Sequence, residues 1–195
     1  RLHGQVGYMT NEFIAKAMEQ HPTIMLCEGT RLGQKESPKL HSEMEVRETA
    51  NKVVSHTSKL VTTSFYGRDI DRINTFHSIA ASNNRKFVIT MKTALLLTKL
   101  KQDIHLSVPD VLADENILVY KKRKKTGAYE ESDYYRWERP YLEKAVEHKY
   151  VHDNQSNVIF PIEPKDFTEL IDVRPDRGGH YIYSMSEPHS ELEAV

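Results

Sequence analysis

A hydroxyl and two arginines flank a glycine between a predicted strand and a predicted helix. Ser64 lies near the strand end, Gly67 makes the turn, and Arg68 and Arg72 lie around the start of the helix. A hydroxyl, a glycine turn and the N–H groups of a helix start suit a phosphate group, and arginines add charge-assisted contacts. The plainer interpretation is a capped helix that contains an Asp–Arg pair. Local pattern alone leaves both interpretations open.

The strongest local charge is a run of five basic residues that follows another predicted strand. Tyrosines and a tryptophan lie near the run, and basic residues with aromatic rings suit a nucleic-acid backbone and its unstacked bases. The alternative is a solvated hairpin tip whose charge is offset by Glu130, Glu131 and Asp133, with part of the aromatic set in the core. The run is Lys121, Lys122, Arg123, Lys124 and Lys125, and the aromatic residues are Tyr120, Tyr129, Tyr134, Tyr135 and Trp137.

Two further segments place polar groups after predicted strands. Glu28 follows the apolar run 23–26, which we predict to be a buried strand, and it precedes a glycine. Open α/β sheets present their chemistry beyond such strand ends, although an ordinary turn residue fits the local pattern better. Ser184 ends the last predicted strand and Ser186 lies in the turn after it, where their hydroxyls could face phosphates or organise the turn.

Histidines at i, i+4 spacing are the other candidate for chemistry. His148 and His152 have the spacing of a metal-binding pair, but no acid lies between them, and solvated histidines at a helix end are the favoured interpretation. The sequence contains no Walker loop, GxGxxG, GxSxG or HxHxDH motif. The sequence therefore predicts no metal site within this chain.

The elements that must position these groups alternate between strand and helix. This alternation predicts an α/β fold, with a mostly parallel sheet covered by helices on both faces. The predicted strands, besides 23–26, cover 60–65, 86–91, 117–120, 158–162 and 180–184. The predicted helices cover 10–20, about 42–54, 69–82, 93–101, 133–147 and 164–171, the second of them opened by a capping box at Ser42 and Glu45.

Composition indicates a soluble globular chain. It has 195 residues, of which 38% are hydrophobic and 28% charged, and its net charge of -1 argues neither for nor against nucleic acid. Its one cysteine, Cys27, excludes an internal disulfide and fits a reducing, cytoplasmic compartment. No apolar run approaches the roughly 20 residues of a membrane helix, so no membrane partner is expected. Because the first residue is Arg1, we expect a truncated or processed chain.

Four blocks of the sequence together resemble the β-CASP nucleases of the metallo-β-lactamase superfamily. Their order and spacing carry the resemblance, which is to ribonuclease J and the mRNA 3′-end processing endonuclease. Relatives often have small polar residues where this chain has Phe65, Tyr66 and Gly67. The blocks are Arg1-Leu2-His3-Gly4, Glu28-Gly29-Thr30, the segment 62–72 and the segment 178–188.

The resemblance implies that this chain is part of a larger two-domain enzyme. Residues 1–33 would be the trailing edge of the metallo-β-lactamase domain, and 34–195 a β-CASP domain incomplete at its C-terminus. In the parent, two zinc ions would activate a water for attack on phosphorus, and Glu28 would orient a metal-bound histidine. This chain would hold no metal, cut no RNA by itself, and clamp single-stranded RNA above the metal site, together with the missing domain. A homodimer is left open.

Other functions are compatible with the same pattern. The parent could be a DNA-repair nuclease of the same superfamily. A Rossmann-like nucleotide-binding enzyme would share the alternation, but no glycine-rich phosphate loop follows an early strand. The chain could also be a non-catalytic module that binds RNA or a partner protein.

Overall fold

One parallel sheet organises the chain. A computed structural model describes residues 10–26 and 42–185. Six strands of this part pair in the order β4-β3-β2-β5-β1-β6, and every pairing is parallel. This confirms the predicted α/β class. The strands are β1 (Val61–Ser64), β2 (Lys86–Thr90), β3 (Ile117–Tyr120), β4 (Ala145–Val146), β5 (Val158–Pro161) and β6 (His180–Tyr183).

Three of the helices begin where the sequence supplies capping side chains. Ser42 and Glu45 form the predicted capping box, with Glu45 N donating to Ser42 Oγ at 3.2 Å and Ser42 N donating to Glu45 Oε2 at 2.7 Å. Asp69 caps α3, and Thr90 caps α4. The helices are α1 (Thr10–Glu19), α2 (Glu43–Ser55), α3 (Ile70–Ser82), α4 (Met91–Leu100), α5 (His148–Asp153) and α6 (Glu169–Val173).

The central strands β2, β3 and β5 are buried on both faces because they are apolar at almost every position. Successive side chains of a strand point to opposite faces, so Ile117 and Val119 of β3 join one core while Tyr120 joins the other. Helices α2, α3 and α4 cover the first core. The second core is covered by Val151 of α5 and Val173 of α6. Near-continuous hydrophobic strands are typical of a parallel sheet between two helical layers.

Two predicted elements are wrong. Residues 133–147 do not form one helix: a 3₁₀ turn at Glu131–Asp133 ends where the predicted helix would begin, and a second at Arg139–Lys144 is followed by β4. Pro140 removes a backbone donor and restricts the preceding residue, which disfavours a continuous α-helix. Residues 23–26 form no strand, and Ile24, Met25 and Leu26 are largely exposed. The predicted domain boundary at 33/34 lies outside the described residues.

The connections between strands create a crevice at one edge. The chain leaves β1 for α3, which packs on the first core, and leaves β5 for α6, which packs on the second. Since β1 and β5 are neighbours, their outgoing chains separate above the ends of the two strands. Open parallel sheets bind ligands at such a switch point, beyond the carboxyl ends of the strands.

Candidate functional site

The parallel sheet brings the predicted phosphate-binding residues of the described segments to its carboxyl edge. The glycine turn follows β1, the basic run follows β3, and Ser184 follows β6. Strands β1 and β6 are neighbours, whereas β1 and β3 are three strand spacings apart, or about 14 Å. The edge therefore carries two polar regions. One is a rim formed by the ends of β1 and β6, and the other is the separate basic loop that follows β3 and contains the run 121–125.

Ser64 is a buried residue that connects the two strands of the rim. Its side chain is buried, at 1% exposure, and its hydroxyl lies 2.6 Å from the hydroxyl of Tyr181. Ser184 N donates to Ser64 O at 2.9 Å, so the last residue of β1 lies beside the residue that follows β6. In this arrangement the Ser64 hydroxyl positions Tyr181 of the edge strand.

Arg72 joins three segments at the same rim. Its guanidinium donates to both carboxylate oxygens of Glu43, at 2.9 and 3.1 Å, which is a bidentate ion pair. It also donates to Ser184 O at 2.9 Å and contacts the Ser184 hydroxyl. The charge of Arg72 is thereby neutralised, and the residue ties the end of β6 to the start of α2.

Arg68 differs from Arg72 in that no carboxylate of the described residues forms an ion pair with it. Its side chain is exposed. The start of α3 beside it already has an anion, because the Asp69 carboxylate accepts a hydrogen bond from Arg72 N at 3.3 Å. A Cβ atom at Gly67 would lie 3.4 Å from Glu163 Oε1, so the turn passes close to the end of β5.

A shallow recess occupies the switch point between β2, β5 and β1. Its polar wall includes Thr90 and Thr93, whose hydroxyls lie 3.0 Å apart at the start of α4. With a cavity volume of about 20 Å³, it has room for roughly one water molecule. Its lining residues are Phe65, Gly67, Ile89, Thr90, Thr93, Pro161, Ile162 and Glu163.

The basic run after β3 is largely neutralised by carboxylates. Three of its five side chains form ion pairs, all with acids more than ten positions further along the chain, whereas the acids at 130, 131 and 133 pair with none of the three. The exposed side chains are Arg123 and Lys125. The ion pairs are Lys121–Glu147 at 3.6 Å, Lys122–Asp166 at 2.7 Å, Lys122–Glu169 at 3.7 Å and Lys124–Glu138 at 2.5 Å.

Two of these lysines, Lys121 and Lys124, lie beside tyrosine rings. Lys121 Nζ lies 5.2 Å from the ring centre of Tyr129 and 5.7 Å from that of Tyr134. Lys124 Nζ lies 5.0 Å from Tyr134 and 4.9 Å from Tyr135. Cations this close to aromatic faces are attracted by the ring quadrupole. We call these five residues the lysine–tyrosine ladder.

Buried polar groups fix the ladder to the domain. Tyr134 is buried, and its hydroxyl donates to Lys122 O at 2.8 Å. Burial raises the pKa of Tyr134 above its ordinary value. The buried Asp133 carboxylate accepts from the Thr126 hydroxyl at 2.6 Å. These hydrogen bonds connect the buried parts of the loop to one another and to its backbone.

At the other end of the ladder, Tyr129 has a left-handed backbone conformation with φ 59°. Its hydroxyl lies 2.7 Å from His148 Nδ1. Burial raises the pKa of Tyr129, and a hydrogen bond with Arg123 opposes that shift. Non-glycine residues are uncommon at positive φ, and the side-chain contacts hold Tyr129 there.

The residues that the structure describes supply no metal site, and the resemblance assigns its two zinc ions to residues outside this chain. Residues 10–26 and 42–185 contain no group of three or more His, Cys, Asp or Glu side chains that could hold a metal. His148 Nδ1 contacts Tyr129, and His152 Nδ1 lies 2.9 Å from Val173 O, so both histidines have protein partners. Glu28 and Ser186 lie outside the described residues.

Sequence reasoning missed which cations of this edge remain exposed. The partners that neutralise Arg72 and Lys122 lie 29 and 44 positions away, so no local pattern could reveal them. Arg136, also exposed, was not identified from the sequence. None of the described helices is long and apolar enough to cross a membrane. Searches of protein-family models and of curated proteins give no match to this chain.

Proposed function

We propose that this chain provides the surface that holds single-stranded RNA in a metal-dependent ribonuclease of the β-CASP kind. The metal ions would be bound by residues outside the described ranges, and the compartment would be the cytoplasm. The observation that carries the proposal is the distribution of charge along the carboxyl edge. Arg68, Arg123 and Lys125 are exposed there, while the other cations of the rim and the basic run are paired with carboxylates.

The paired and exposed cations would have different tasks. Phosphate groups are attracted to cations whose charge is not already neutralised. Arg68 lies at the rim, and Arg123 and Lys125 lie about three strand spacings away, so one extended strand could contact both. Arg72 would instead keep the rim in shape, because it connects Glu43 to Ser184. An extended track suits an unpaired strand better than a small ligand.

The proposal is tested by the salt dependence of RNA binding. Affinity for a labelled single-stranded RNA of about 20 nucleotides, long enough for one such domain, would be measured by fluorescence anisotropy over a range of salt concentrations. Each phosphate contact adds about 0.7 to the slope of log affinity against log salt for single strands. Arg68→Gln should therefore weaken binding and lower the slope by about that amount.

The matched control is Arg177→Gln. Arg177 is also exposed, but it precedes β6 and therefore lies towards the amino edge of the sheet. It should leave both affinity and slope unchanged. Equal slopes for the wild type and Arg68→Gln would contradict the rim contact, and no binding even at low salt would contradict the proposed function. A single-stranded DNA of the same sequence would show whether the sugar matters.

A further inference from the structure

Tyr135 combines high exposure with fixed geometry. Its side chain is 64% exposed, although it is a large aromatic residue. The ring lies nearly parallel to that of Trp137, at an interplanar angle of 9° with ring centres 6.5 Å apart. Lys124 Nζ lies 4.9 Å from the ring centre of Tyr135. Although the Tyr135 ring is exposed, Trp137 and Lys124 both lie against it.

The backbone at Tyr135 is fixed as well. Tyr135 N donates to Glu138 Oε2 at 2.9 Å, and that carboxylate belongs to a residue only 5% exposed. The same oxygen binds Lys124. A ring held in place before binding loses little conformational entropy when a ligand stacks on it. The structure therefore presents an aromatic surface whose position is set in advance.

Exposed cations adjoin this ring in the sequence. Arg136 follows it directly, and Lys125 follows its ladder partner Lys124. Neither Arg136 nor Lys125 forms an ion pair with another residue of the described segments. Arg139 lies nearby but is 3.8 Å from Glu131. A ligand of this surface should thus have a flat apolar ring together with negative charge.

We propose that Tyr135 is the stacking platform for one unpaired base of the bound strand, with Arg136 and Lys125 contacting the adjoining phosphates. A nucleotide in a single strand has the flat ring and the negative charge that this surface fits, whereas a paired base inside a duplex exposes no face to stack. This inference rests on the proposed function and adds to it a specific base contact. It also explains why the exposed aromatic residue lies in the basic loop.

The test separates bases from phosphates. The full chain would be titrated with a single-stranded RNA oligonucleotide and with an abasic oligonucleotide of the same length, which keeps the phosphates but has no bases. Removing one stacking aromatic ring lowers affinity by about 5- to 100-fold. Tyr135→Ala should therefore weaken RNA binding by about that factor and leave binding of the abasic strand unchanged. Tyr135→Phe should bind RNA about as well as the wild type, because the phenyl ring still stacks.

A second measurement uses the one tryptophan of the chain, Trp137. Because its ring lies against Tyr135, RNA should change its fluorescence while the abasic strand should not. His180→Ala is the control, since it removes an exposed ring at the amino end of β6, and it should bind RNA as the wild type does.

The outcomes distinguish the two proposals. RNA binding that Tyr135→Ala leaves unchanged would overturn the stacking platform and leave the proposed function standing. Equal weakening of the RNA and the abasic strand by Tyr135→Ala would also overturn it, because the loss would then not involve a base. Failure of the wild type to bind either strand at low salt would overturn both. Melting temperatures of all variants would identify any that fail to fold.

Discussion

Each of the two edges of the sheet, amino and carboxyl, holds an arginine in hydrogen bonds, but the two arginines bind different partners. At the amino edge Arg85 is 4% exposed and donates to backbone carbonyls of Lys59 and Val158 at 3.0 and 3.3 Å. It also contacts the carbonyl groups of Val54 and Thr57, at and just beyond the end of α2. Burial lowers the pKa of Arg85. All its hydrogen bonds within the described residues go to the backbone, so it closes that edge.

At the carboxyl edge Arg72 binds a side chain instead. Its partner Glu43 neutralises it, whereas Arg68 at the same rim and Arg123 and Lys125 further along the carboxyl edge are exposed. The comparison teaches that arginine burial alone does not indicate function. Arg85 binds only carbonyls and completes the fold, whereas Arg72 is neutralised by a carboxylate at the edge where we propose that phosphates bind.

The largest expected effect is at the amino edge. Arg85→Met should lower the free energy of unfolding by about 4 kcal/mol, because several buried carbonyl groups would lose their donor and each such loss costs about 1–3 kcal/mol. Chemical denaturation measures the change. Arg177→Met, at an exposed position that precedes β6 and so lies towards the same amino edge, should change it by less than about 0.5 kcal/mol. If Arg85→Met unfolds as readily as the control, the closure of the amino edge does not depend on Arg85.

A smaller loss is expected in the ladder. Lys124→Met leaves the buried Glu138 carboxylate without its cation and should cost about 2–3 kcal/mol, below the range for fully buried pairs because Lys124 is partly exposed. Its neighbour Lys125 is exposed, so Lys125→Met should leave unfolding unchanged and weaken RNA binding. Denaturation and anisotropy on both variants would sharpen the division between structural and binding cations. Unchanged stability of Lys124→Met together with a destabilised Lys125→Met would contradict this division.

The smallest effect concerns pH. Since burial raises the pKa of Tyr134, the fold favours its neutral form. That contribution is fully present below about pH 10, the ordinary value for tyrosine, and is lost as the pH rises from there towards the raised pKa. Above about pH 10 the wild type should therefore lose stability more steeply with pH than Tyr134→Phe does. Tyr66→Phe, at an exposed position, should keep the wild-type slope, and a slope shared by all three would contradict a role for Tyr134.

The sheet was predictable because its signals are local. Strand β3 matches its prediction, and the capping box at Ser42 and the cap at Asp69 begin α2 and α3 where expected. The error at 133–147 has a physical reason. The prediction relied on the helical spacing of Trp137, Tyr141, Leu142 and Val146. The first three pack in or against the first core, but Val146 packs against the second, so these residues do not share one helix face.

The candidate site was predictable only in its location. A parallel sheet must bring the segments after β1, β3 and β6 to one edge, so their grouping follows from topology. Which cations are neutralised depends on acids far away in sequence, such as Glu138 for Lys124 and Asp166 for Lys122. The predicted roles of Glu28 and Ser186 stay predictions, because both lie outside the described residues.

Strand β1 has a consequence for the order of folding. It pairs with β5 and β6, and its contacts with β6 join residues up to 119 positions apart. Contacts between such distant residues form slowly because a long loop must close first. During synthesis β1 must therefore wait, unpaired, until almost all of the described chain has left the ribosome. Its Val-Thr-Thr-Ser sequence suits that delay, since hydroxyl-bearing residues make an unpaired strand less prone to aggregation than the aliphatic residues of β3 would.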